Sequence, residues 1–242
     1  LPGNDQGAEM LLSIRAMLSE MKAADTENTC GRLEAELSNI REEDWANNWK
    51  QYFKPFKVGD RLAVKPSWEE YENDDNRIIL EIDPASSFGT GQHHTTRLCL
   101  ELIQECMNEG DTVLDMGCGS GILSIAAMLL GAKNAVAVDI EENAAATARE
   151  NAGKNNIPPE LYDVHFGNIL NDEKLADLID AKYDLITANI VADVLIAMKD
   201  HFVRYVKDGG KLIVSGIIEE RMEEVLSAIE NVGFTREKFI VK

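Results

Sequence analysis

Basic residues are in short supply along this chain: 24 lysines and arginines stand against 43 acids, a net charge of −19 at pH 7. Nucleic-acid binding usually rests on a basic face, so this balance argues against a direct nucleic-acid partner. The same field would draw in a lysine-rich polypeptide and speed its encounter, although acidity also serves solubility alone. Cysteine is sparse as well. Cys30, Cys99, Cys106 and Cys118 form no C-x-x-C pair and no framework spacing, which excludes a disulfide scaffold and a zinc site and points to reduced thiols in a cytoplasmic protein. No apolar run approaches the ~18 residues of a membrane span, and no basic-then-apolar leader opens the chain. Of the four histidines, His93 and His94 are adjacent and point apart, while His165 and His201 lie far off, so no metal site is expected.

What the sequence does hold is concentrated between Thr112 and Asp139, TVLDMGCGSGILSIAAMLLGAKNAVAVD. A short apolar run suits a buried parallel strand. Gly117, Gly119 and Gly121 let the backbone turn sharply and let a ligand approach with no Cβ in the way. A helix follows, stopped by Gly131, and then a second strand that ends on Asp139, 22 residues after Gly117. At that distance a carboxylate can accept from a ribose hydroxyl pair. The third glycine of a dinucleotide fingerprint would fall at position 122, which is Ile122, and no Walker lysine follows the glycines. Asp115 would repel a pyrophosphate and welcome a cation. These features suit a nucleoside cofactor that carries positive charge.

Strands at 112–115, 135–139, 163–167, 183–189 and 211–216 alternate with helices at about 95–107, 122–130, 142–155, 192–206 and 219–231. Such alternation gives a mainly parallel, doubly wound α/β sheet with helices on both faces. Gly117, Asp139, Asn168 and Asn189 then converge at the carboxyl ends of the strands, where such sheets bind ligands. With 242 residues and 45% hydrophobic content, one substantial core and a small accessory region are affordable. Upstream, Met10, Ile14, Met17, Leu18 and Met21 form a helical stripe that needs a partner. Asp44 can cap a helix with Trp45, Trp49 and Phe53 on one side, and strands are expected at 61–65 and 77–82. Leu1 in place of Met implies an upstream segment.

Asp83 to Thr96, DPASSFGTGQHHTT, is too polar and glycine-rich for core and reads as a binding loop, with Thr95 or Thr96 able to cap the next helix. D-x-G-C-G-S-G resembles the first motif of class I S-adenosylmethionine-dependent methyltransferases. Taken in order, D-P-x-x-x-F-G-T-G-x-H-x-T-T, D-x-G-C-G-S-G-I-L-S-I-A-A, V-D-I and A-N-I are similar to the bacterial ribosomal protein L11 methyltransferase (PrmA) family. The likeness runs from about Asp44, including D-W-x-x-x-W-K and Lys65 to Trp68, K-P-S-W.

The resemblance implies a Rossmann-like, seven-stranded-type catalytic domain over 67–242, a linker helix and connecting strand over 44–66, and a remnant of an amino-terminal recognition domain over 1–43. The final antiparallel strand of the sheet would lie beyond Phe239 to Lys242. The implied reaction is methyl transfer from S-adenosylmethionine to lysine and terminal amines of ribosomal protein L11, free of the ribosome. Carried over by position, the cofactor contacts are Thr96, Gly117, Gly119, Asp139 and Asn189, with Phe88 and Gly89 closing over the methionine end and Asn168 near adenine. His94 stands where the family usually has proline. As catalytic groups, Asn189 would orient the amine lone pair and His93 would relay a proton. Asn189 could also cap the helix starting near Ala192. The rivals are a class I methyltransferase acting on another protein, RNA or a small amine, and a non-catalytic module binding a partner through the Trp45 and Trp49 helix.

Overall fold

The structure, a computed structural model, describes residues 13–14, 16–19, 21–23, 53–83 and 93–241. The chain divides into two compact units, Leu1–Tyr52 and Phe53–Lys242, so the division falls within the 44–66 stretch expected to be a linker. In the first unit the described positions between 13 and 23 are helical, and Ile14, Met17 and Met21 are exposed. The Trp45 and Trp49 helix and the Phe88, Gly89 and Gly91 turn lie outside the described residues.

The second unit opens with β1 (Phe56–Val58), β2 (Leu62–Lys65) and β3 (Ile78–Glu81). They form a small sheet of their own, β1 antiparallel and β3 parallel to β2. Then come α1 (His94–Cys106), β4 (Thr112–Met116), α2 (Ile122–Leu129), β5 (Asn134–Asp139), α3 (Glu142–Lys154), β6 (Tyr162–Phe166), α4 (Glu173–Leu178), β7 (Tyr183–Asn189), α5 (Ala192–Tyr205), β8 (Val206–Ser215) and α6 (Met222–Glu230). The main sheet runs β6-β5-β4-β7-β8, all parallel. Five strands are described where seven were expected. The first three strands close their own sheet, and 231–241 carry a turn and then no ladder pairing. β8 also starts five residues earlier than its sequence suggests, because a bulge between Tyr183 and Leu185 lets Val206 pair with Tyr183 before the regular ladder resumes at Lys211.

Side-chain parity assigns each face of the sheet to a different core. Val113 and Leu185 point into one cluster, with Leu100 and Ile103 of α1, Ile125 and Ala126 of α2, Ala145 and Ala148 of α3, and Leu62 and Leu80 of the small sheet. Leu114 and Ile186, one residue on, enter the other cluster with Leu195 and Phe202 of α5 and Val225 and Ile229 of α6. Burial on both faces explains why these strands read as continuous apolar runs. Glutamine fastens the small sheet to α1: Gln104 Nε2 donates to the Val58 carbonyl and its Oε1 accepts from Arg61 N.

From β4 the chain winds outward through β5 to β6, then returns to the other side of β4 for β7 and β8. The reversal leaves a crevice between the carboxyl ends of β4 and β7. Gly121 closes the β4 turn at φ +78°, and a Cβ there would sit 2.7 Å from Tyr162 Oη and 3.0 Å from Ala148 Cβ. We expect Gly121→Ala to cost about 2–4 kcal/mol from left-handed strain and overpacking. Gly153→Ala in α3, with open space around it, should instead stabilise by about 0.5–1 kcal/mol. Urea midpoints of the two variants check the contrast, and equal shifts would contradict it.

Candidate cofactor and methyl-transfer site

The turn after β4 is built around a carboxylate that never sees solvent. Asp115 is 1% exposed. Its Oδ2 accepts from Ser124 N (3.1 Å) and Ser124 Oγ (2.8 Å), and its Oδ1 accepts from Thr187 Oγ1 (2.8 Å). Tyr162 Oη lies 2.9 Å from Ser124 Oγ and extends the network to β6. One side chain thus satisfies a first-turn amide of α2 and ties β4 to β7. From the sequence, Asp115 is expected to repel a pyrophosphate and welcome a cation. Instead its oxygens are consumed by Ser124 and Thr187, and burial pushes its pKa up to about 6 against the pull of those hydrogen bonds.

The glycine turn spends its own donors. Gly117 N (2.8 Å) and Cys118 N (3.1 Å) both donate to the Val138 carbonyl, and Gly121 N donates to the Cys118 carbonyl (2.8 Å). Gly119 N donates to Asp139 Oδ2 (2.8 Å), and Glu141 N to Asp139 Oδ1 (2.9 Å). A phosphate cradle needs several amides aimed at one anion. Here the Gly117, Cys118, Gly119 and Gly121 amides are spent within the protein, and Asp139 keeps lone pairs for a ligand. Gly117 and Gly119 therefore act through shape: Gly117 has φ +79° with Ile190 Cγ2 packed where its Cβ would be, and Gly119 orients the acid. Burial holds the Cys118 thiol well above its ordinary pKa, so it is no nucleophile.

Across the crevice, Asn189 ends β7. Its Nδ2 donates to Thr96 Oγ1 (3.2 Å), and its Oδ1 is buried with no partner. Such an acceptor costs free energy unless a ligand donor reaches it. Asn189 does not cap α5, whose N-cap is Val191 without a side-chain bond. Thr96, at 1% exposure, holds Asn189 in place and is not an open contact surface. Neither Thr95 nor Thr96 caps α1. His93 does, its Nδ1 accepting from Thr95 N (3.4 Å) and lying 2.7 Å from Thr95 Oγ1.

At the β6 end, Asn168 Oδ1 accepts from Leu170 N (3.1 Å), and Gly167 N donates to the Asp139 carbonyl (2.9 Å), which brings this turn beside the acid. Sequence reasoning passed over Ile140 and Phe166. Both stand exposed, at 63% and 55%, beside Asp139, with Phe166 its register partner on β6. An apolar residue immediately after a strand-end acid was the available signal. Gly216 was also missed: at φ +82° it lets β8 pass so close to β7 that a Cβ would sit 2.8 Å from the Ile190 carbonyl. The glycine turn, Asp139, Asn168 and Asn189 thus share one edge as expected, while Phe88 and Gly89 lie outside the described residues.

Among the described residues no group of three His, Cys, Asp or Glu could hold a metal ion, and no helix is long and apolar enough to cross a membrane. An edge that carries the orphaned Asn189 Oδ1 and the anchored Asp139 carboxylate fits a cationic, hydroxyl-bearing nucleoside cofactor and does not fit a pyrophosphate.

The family described as Ribosomal protein L11 methyltransferase (PrmA) matches residues 8–242. The chain belongs to this family. A ribosomal protein L11 methyltransferase from Clostridium botulinum (strain Eklund 17B / Type B) is 44% identical over 199 residues, covering 82% of this chain and 61% of that protein. One from Clostridium perfringens (strain SM101 / Type A) is 38% identical over 226 residues, covering 93% and 69%. The chain therefore spans about three-fifths of the Clostridium botulinum relative. A crystal structure of ribosomal protein L11 methylase from Lactobacillus delbrueckii subsp. bulgaricus superposes with TM-score 0.71 at 32% identity, covering 78% of this chain and 94% of that one. A precorrin 8W decarboxylase from Methanobacterium thermoautotrophicum, at TM-score 0.51 and 20% identity, shares the fold alone and covers 62% and 76%. The family and its neighbours establish a Rossmann-like methyltransferase fold.

The raised Asp115 carboxyl has a testable sign. Its pKa of about 6 in the folded chain exceeds the unfolded value, so its contribution is fully present at low pH and is lost as pH rises through about 6. The stability of the wild type relative to Asp115→Asn should therefore fall by about 3 kcal/mol between roughly pH 3.5 and pH 7. Denaturant melts of both proteins across that range measure it, and a pH-independent difference would contradict the buried charge.

Proposed function

We propose that this chain binds S-adenosylmethionine in the crevice between β4 and β7 and transfers its methyl group to lysine and terminal amines of free ribosomal protein L11 in the cytoplasm. The observation that carries this reading is the unpartnered, buried Asn189 Oδ1, on the same sheet edge as an Asp139 carboxylate that two backbone amides hold in place. The relatives' names support the acceptor, and the net charge of −19 suits a basic protein substrate better than RNA.

When bound, S-adenosylmethionine supplies a methyl group already activated by a positive sulfur, so no covalent intermediate with the chain is required. Asp139 has lone pairs left to accept from ribose hydroxyls. Ile140 and Phe166 give a flat base an apolar wall, and the Asn168 amide serves its edge. The family resemblance alone assigns Phe88 and Gly89 to the methionine end. Thr96 fixes the Asn189 amide so that Oδ1 meets the incoming amine. A lysine amine has an ordinary pKa of about 10.4 and must shed a proton, which desolvation at this edge assists. With N–H···Oδ1 made, the nitrogen lone pair is aimed away from Asn189 and toward the crevice, so alignment is the main contribution. His93 is the proposed relay for the released proton.

Transfer of labelled methyl from S-adenosylmethionine to purified L11 tests the reading. Label should appear on L11, and Asn189→Ala should lower kcat about a hundredfold through loss of one preorganised polar group. His93→Ala should slow turnover and alter its pH profile. Label absent from L11, or an Asn189→Ala enzyme with wild-type turnover, would overturn the assignment; an unaltered His93→Ala profile would leave His93 a helix cap only.

A further inference from the structure

Two segments of the proposed site are joined at their bases by one buried side chain. Asn151 of α3 is 0% exposed. Its Oδ1 accepts from Asp83 N (3.1 Å), and its Nδ2 donates to the Asp83 carbonyl (3.2 Å) and to the Ser120 carbonyl (2.9 Å). Asp83 opens the Asp83–Thr96 stretch, and Ser120 lies in the glycine turn. The Asp83 carboxylate is itself fixed, accepting from Ser67 N (2.7 Å) and Ser67 Oγ (2.6 Å) and pairing with Lys154 (2.6 Å).

One turn along α3, Asn155 repeats half of this arrangement. Its Oδ1 accepts from Glu81 N (2.9 Å), and its Nδ2 donates to the Glu81 carbonyl (2.7 Å) and to the Asn151 carbonyl (2.8 Å). A spacing of four on the helix thus matches a spacing of two on the strand, and two carboxamides imitate a neighbouring strand along the edge of β3. Asn155 touches no part of the glycine turn. Asn151 does.

We propose that Asn151 is a positioning residue that sets the glycine turn against the Asp83 end of the second binding segment. Its bearing on cofactor affinity rests on the S-adenosylmethionine reading, while the clasp itself does not. The chemistry requires a carboxamide. An aspartate of the same shape could still accept from Asp83 N, but it would face two carbonyl oxygens with an acceptor, and alanine would remove all three hydrogen bonds to Ser120 O and the Asp83 backbone.

Asn155 supplies the control, since its loss removes a strand clasp without touching the turn. In amide hydrogen exchange of the cofactor-free protein, Asn151→Ala and Asn151→Asp should each speed exchange at Gly119 and Gly121 by about tenfold or more, beyond any change in global stability. Asn155→Ala should speed exchange at Glu81 and leave Gly119 and Gly121 at wild-type rates. Calorimetry should then show S-adenosylmethionine Kd raised about tenfold in both Asn151 variants and unchanged in Asn155→Ala, with kcat at saturating cofactor near wild type. Turn exchange that stays at the wild-type rate in Asn151→Ala, or rises equally in Asn155→Ala, overturns the proposal. A wild-type chain that binds no S-adenosylmethionine refutes the cofactor reading, and the exchange comparison still decides the clasp.

Discussion

A carboxylate shut away from water must find all its hydrogen bonds inside the protein, and at Asp115 that requirement organises the site. Its donors come from two places, Ser124 in the first turn of α2 and Thr187 in β7. Both strands flanking the crevice and the helix that leaves it are therefore fixed to one another by a single residue. Loss of either donor would leave charge stranded in the core, so the fold and the shape of the crevice are specified together.

With β4, α2 and β7 locked, the turn between β4 and α2 has little freedom. Its amides fold back onto Val138, Cys118 and Asp139, and the chemistry of the crevice follows from that choice. A turn whose amides are spent within the protein has few left for an anion. Together with Asp139 and the unpartnered Asn189 Oδ1, it favours ligands that bring donors and positive charge. The turn resembles nucleotide-binding loops in its glycines, yet its use of hydrogen bonds is the opposite of theirs.

Local chemistry was legible in the sequence. Gly117, Gly119 and Gly121 announce positive φ, the apolar runs announce strands buried on both faces, and the position of Asp139 after the second strand follows from the winding of such folds. Partners distant in sequence were not. Thr187 is 72 residues from Asp115, and Asn151 is 68 from Asp83, so neither contact leaves a trace in spacing. The cap of α1 was misread because threonine is the commoner cap, whereas here the His93 ring is placed to accept from Thr95. The bulge in β8 was hidden for a related reason, since Asp208, Gly209 and Gly210 read as a loop until Val206 is seen paired with Tyr183.

Asp139, held by the Gly119 and Glu141 amides, is the proposed anchor for a cationic nucleoside cofactor. Calorimetric titration of S-adenosylmethionine into the wild-type chain and into Asp139→Ala tests it most directly. The wild type should bind with micromolar affinity and the variant should lose roughly 2–3 kcal/mol, the scale of a hydrogen bond to a charged group plus its lost turn geometry. Equal affinities in the two proteins, or no binding by the wild type, would contradict it.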